Sequence, residues 1–110
     1  MTQWTKDKAN SWYGKQPWLV GCNFLPSSAI NQLEMFQDET FDIDLINKEI
    51  GWAKDLGFNS LRVYLHDLLW DDPNNFSNKL DTFLDVCSTN SIKPILVLFD
   101  DCHRPYPKKG

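Results

Sequence analysis

The spacing of apolar residues changes once between Phe41 and His66, and that change marks the centre of the chain. Ile43, Ile46, Ile50 and Ala53 recur at steps of three and four, flanked by Leu45, Trp52 and Leu56. Such spacing predicts a helix with one apolar stripe. Asp42 stands where an N-cap carboxylate would accept from the first orphan N–H groups, and Gly57 where a C′ residue needs positive φ. From Ser60 the period becomes two. Leu61, Val63 and Leu65 fall on one face of a strand, and Ser60, Arg62, Tyr64 and His66 on the other. Helix, short turn and strand make the second half of a βαβ unit. The apolar face is expected to meet helices, while the other face sets a cation, a phenol and an imidazole in one row.

The flanking sequence repeats this alternation. Pro17 to Phe24 (PWLVGCNF) reads as a first strand, with Pro17 at its tolerated opening position. Residues 25–38 form a βα connection with its own short helix, capped by Ser27 or Ser28. After the second strand, 66–73 reads as a loop. Asp72-Pro73 then suits a cap followed by N1, although Ser77 offers a later start. Phe76, Leu80, Phe83, Leu84 and Cys87 keep helical spacing, so this helix ends near 89–91. The unbroken run 94–99 (PILVLF) predicts a third strand covered on both faces, as the first strand's apolar run also suggests. Residues 1–16 show neither period and read as a lead-in segment, ahead of a domain spanning 17–110. The order β-α-α-β-α-β predicts an α/β fold with a parallel sheet.

Composition narrows the function classes. A net charge of −4 argues against a nucleic-acid surface. No apolar run approaches the roughly 18 residues of a membrane span, and Met1 to Gly21 lacks a secretory h-region, which makes a cytoplasmic setting the default expectation. Three cysteines without CxxC spacing read as reduced thiols rather than a zinc site. Aromatics at 14% serve chiefly for core filling and secondarily as platforms for flat ligands such as sugar rings.

In parallel sheets of this kind, ligand sites gather at the carboxyl ends of strands. The three ends here offer Asn23, then Tyr64 and His66, then Asp100 and Asp101, with Arg62 on the same face as Tyr64. Neither GxGxxG nor a P-loop follows the first strand, so a dinucleotide or nucleotide cofactor is not expected. Asp100-Asp101 reads as capping acids rather than a cation site, and His103 as a solvated loop histidine. An inward Arg62 would call for a carboxylate partner, either Asp100 or a residue outside this sequence.

The stretches WLVGCNFLPSSAINQLEMFQ, GWAKDLGFNSLRVYLHDLLW and PILVLFDDC resemble bacterial (β/α)8-barrel glycoside hydrolases of the cellulase and xylanase type, in the clan of retaining β-glycosidases. The resemblance runs over about residues 17–107. It implies that the chain is the N-terminal part of a TIM barrel, its first three βα units with helices on the outer face. It implies a carbohydrate substrate, no cofactor, and Arg62 supporting the nucleophilic carboxylate, with Asn23, Tyr64, His66, Asp100 and Asp101 lining the sugar cleft. Relatives of that kind are often exported. In the clan the acid/base follows strand four and the nucleophile strand seven, whereas Glu34, Glu39 and Glu49 lie in the first connection and the helix after it. A barrel takes at least about 200 residues, so these 110 are expected to be inactive alone and to need the remaining barrel for stability. The alternative is a self-contained α/β module that binds a ligand or partner at its strand ends.

Overall fold

The element that fixes the rest is the helix over Ile43–Asp55, whose stripe of Ile46, Ile50 and Ala53 is buried. Asp42 caps it, its carboxylate accepting from the Leu45 N–H at 2.9 Å. Gly57 ends it with φ +90°, a conformation that L side chains disfavour. In the computed structural model, which describes residues 1–98, 100 and 105–110, this helix is α3. It follows α1 (Lys6–Gly14), β1 (Gly21–Asn23) and α2 (Gln32–Phe36). Beyond it come β2 (Ser60–Tyr64), a 3-10 turn at Asp67–Asp71, α4 (Pro73–Thr89) and β3 (Lys93–Val97).

The three strands form one parallel sheet in the order β1-β2-β3. Leu61, Val63 and Leu65 pack into a single core with Ile46 and Ile50 of α3 and with Phe76, Phe83 and Cys87 of α4. Both long helices therefore cover the same face of β2. Phe36 of α2 joins this core, stacking on Phe41 and meeting Phe76 and Phe83 edge-on at centroid distances of 5.6 and 6.0 Å. Burying each such side chain contributes about 1.5–3 kcal/mol. Burial also pushes the Cys87 thiol up to about 12, which leaves it an inert core group. The protein is thus a small α/β domain with a three-stranded parallel sheet, its helix face closed over β2.

Several expectations are corrected. Residues 1–16 contain α1, a helix with no buried residue. It rests on local contacts: the Thr5 hydroxyl accepts from the Lys8 N–H, Lys8 lies over the Trp4 ring, and Trp4 meets Trp12 edge-on. A helix without an apolar stripe leaves no periodicity to read. The α2 cap is Asn31, not Ser27 or Ser28. Its side chain accepts from the Glu34 N–H at 2.9 Å, while Glu34 reaches back to the Ile30 N–H at 2.8 Å. Ser27 is tied elsewhere, its N–H donating to Glu49. The loop over 66–73 contains the 3-10 turn. Finally, β1 and β3 are not covered on both faces: all three β1 residues are exposed, and Ile95 and Leu98 remain 49% and 63% accessible. An apolar run marked a buried strand in the sequence, but α3 and α4 cover β2 from one side, leaving the β1 edge, Cys22 included, and the Ile95 side of β3 exposed. Phe99 lies outside the described residues.

β1 is short, and side chains extend its attachment. Asn59 accepts from the Val20 N–H at 2.7 Å and donates to the Trp18 carbonyl at 2.9 Å, imitating a strand neighbour. Gly21 sits beside Ser60 in register, and a Cβ built there would lie 1.7 Å from the Ser60 carbonyl oxygen. Its φ is not positive, so close approach alone requires glycine. Gly21→Ala should lower stability by about 2–3 kcal/mol, as overpacking against backbone does. The urea midpoint measures this, and an unchanged midpoint would show that β1 is not docked this way.

Candidate functional site

Register decides which side chains share the open face. Asn23 pairs with Arg62 and Arg62 with Ile95, while Tyr64 pairs with Val97. In a parallel sheet, register partners point to the same side. Because Leu61 and Val63 are buried against the helices, Asn23, Arg62 and Tyr64 project away from them. The Arg62 Nε donates to the Asn23 side-chain oxygen at 2.8 Å, and the guanidinium lies 5.1 Å from the Tyr64 ring centroid. The arginine is exposed. Water solvates its charge there, and the cost that would compel a buried carboxylate partner does not arise. Among the described residues no carboxylate pairs with it.

At the carboxyl ends of the strands, Asn23, Tyr64 and Asp100 line one open cleft of about 850 Å³. Ligand clefts run to about 300–1,000 Å³. Its other wall is the connection after β1, which supplies Leu25, Ile30, Asn31 and Gln32. Arg62 lies on the adjoining surface with Leu19, Gly21 and Ile95. The cleft therefore has an apolar side, an amide-rich side and one acid.

The anchoring of Asp100 explains its place. Its N–H donates to the Leu65 carbonyl at 2.9 Å, continuing the sheet beyond β3. The Gln32 amide donates to the Asp100 carbonyl and stands 3.4 Å from its Oδ2. Asp100 is the only acid lining the cleft among the described residues. Glu34 and Glu49 are spent on the backbone N–H groups of Ile30 and Ser27, and so supply no second carboxyl there.

His66 departs from the expected row. It is 4% exposed and does not line the cleft. Its Nδ1 caps the 3-10 turn, accepting from the Leu68 N–H at 3.2 Å, and also lies 2.8 Å from the Asp67 carboxylate. One ring nitrogen cannot do both at once: the amide contact belongs to an unprotonated Nδ1, the carboxylate contact to a protonated one. The alternation of β2 stops at Leu65, and the turn rolls the next side chain into the interior. Asp101 and His103 lie outside the described residues. Sequence reasoning missed Asn31 and Gln32, whose only signal was two amides in the connection that follows a strand end.

No family model, curated protein or solved structure matches the chain. The fold and the cleft therefore stand on their own geometry. If Arg62 is placed for a ligand rather than for folding, Arg62→Met should change stability by no more than about 0.5 kcal/mol, as for other exposed positions. Denaturant unfolding measures this, and a loss of about 2 kcal/mol would assign Arg62 a structural role.

Proposed function

We propose that the chain forms the first three βα units of a (β/α)8-barrel glycoside hydrolase acting on a β-linked polysaccharide or oligosaccharide, of xylanase or cellulase type. One observation carries the reading. A parallel sheet with α3 and α4 packed on one face brings Asn23, Tyr64 and Asp100 from three strand ends into one cleft. Amide, phenol and carboxylate are the groups that exchange hydrogen bonds with sugar hydroxyls, and Leu25 and Ile30 offer apolar surface to a sugar's C–H face.

Retaining hydrolysis needs two carboxyls about 5–5.5 Å apart. In this reading both come from strands outside these residues, and the chain alone is inactive. Arg62 stands beside the incoming nucleophile, with its Nε already held by Asn23. A fixed cation keeps a carboxylate ionised and turned toward the anomeric carbon. The chemistry calls for no metal or cofactor. The second reading, a self-contained binding module, draws support from the closed core of Phe36, Phe83, Ile46 and Ile50, each at most 1% exposed.

The coding sequence downstream of Gly110 separates the two. A continuation with a fourth strand followed by an Asn-Glu pair is expected, and a stop codon there would overturn the barrel reading. In the longer enzyme, Arg62→Met should lower kcat by about 10²-fold, in line with losing a positioned electrostatic partner, with a smaller change in KM. Arg62→Lys should recover only part of the loss, since a point charge lacks the planar fork. Steady-state kinetics on the best β-glycan substrate provide the check, and wild-type turnover in Arg62→Met would exclude Arg62 from the site.

A further inference from the structure

We infer that Gln32 is the positioning residue of the cleft: it holds the Asp100 carboxylate at the rim where a saccharide hydroxyl would meet it. The inference rests on the carbohydrate reading above for its ligand, but its geometry is independent of that reading. Gln32 comes from the first residue of α2, and Asp100 lies three residues beyond β3. Sixty-eight positions apart in sequence, they meet across the cleft that both line.

The chemistry of the amide suits this task. Gln32 Nε2 carries two N–H donors on one rigid plane. It donates to the Asp100 main-chain carbonyl and stands 3.4 Å from Oδ2, thereby addressing both the backbone and the carboxylate of one residue. A lysine or arginine there would also orient the acid but would add a positive charge beside it, weakening it as an acceptor for neutral hydroxyls. Glutamine orients without adding charge. The link does not hold α2 in place. That helix is capped by Asn31 and seated by Leu33, Met35 and Phe36, all three buried. Removing the Gln32 donors should therefore loosen the Gln32 side of the Asp100 anchoring and leave the helix.

The test uses Gln32→Met, of similar length but without donors, and Gln32→Lys, which restores a donor. Two readouts are taken on the full chain: the Asp100 carboxyl carbon signal by NMR, and binding of xylotetraose or cellotetraose by titration. In Gln32→Met the Asp100 signal should move and the dissociation constant for the bound tetrasaccharide should rise at least fivefold. The thermal midpoint should stay within a few degrees. Gln32→Lys should return the signal most of the way. An unmoved Asp100 signal in Gln32→Met overturns the inference, and so does a moved signal with unchanged tetrasaccharide binding. If Gln32→Met fails to fold, Gln32→Ala, which removes the donors without adding charge, is read in the same way. Should the wild-type chain bind neither tetrasaccharide while the signal still moves, the carbohydrate reading fails and the positioning of Asp100 by Gln32 stands.

Discussion

The burial of Leu61, Val63 and Leu65 along one side of β2 is the constraint on which the rest of the structure depends. A strand has two faces and a period of two, so fixing three side chains in the core fixes where Arg62 and Tyr64 must go. A slip of one residue would drive the arginine into a core of phenylalanine and isoleucine, at a cost no partner there offsets. The helices α3 and α4 enforce the choice from one side, and the parallel register passes it to Asn23 on β1 and to Ile95 and Val97 on β3. The orientation of the open face is thus a consequence of packing on the closed one.

That division has a functional side. On the helix face, close packing leaves the thiol of Cys87 protonated and inert. On the open face, polar groups interact without full desolvation: Asn23 holds the Arg62 Nε, and Tyr64 lies beneath the guanidinium. The exposed apolar residues Leu19 and Ile95 lie beside them, so the face is neither a purely solvated surface nor a finished core. Further strands would complete it in a barrel. In a self-contained module it would be the ligand surface.

Much of the fold was legible because period and capping chemistry agree. Asp42, Gly57, Asp72 and Pro73 mark the ends of α3 and α4 where the apolar spacing starts or stops, and the structure places caps and positive φ at those positions. What escaped has physical causes. α1 is built on a cap and ring contacts, which leave no stripe. β1 and β3 carry apolar runs, and a run alone does not reveal how many faces are covered. In the cleft, Asn23, Tyr64 and Asp100 could be named because strand ends are predictable sites. His66 was misplaced because alternation ends with the strand, and its imidazole turns inward to cap the next turn. Gln32 was invisible because its role exists only across 68 positions of sequence.

The central claim is that β2 is the shared, doubly paired strand beneath α3 and α4, with β1 and β3 as the two edges of the three-stranded sheet. Native-state hydrogen exchange measures it residue by residue. The amides of Leu61 to Leu65 should exchange most slowly, near the rate of global unfolding. Amides of β1 that point away from β2 should exchange orders of magnitude faster. Protection as strong on the outer edge of β1 as on β2, or rapid exchange throughout 61–65, would contradict the account.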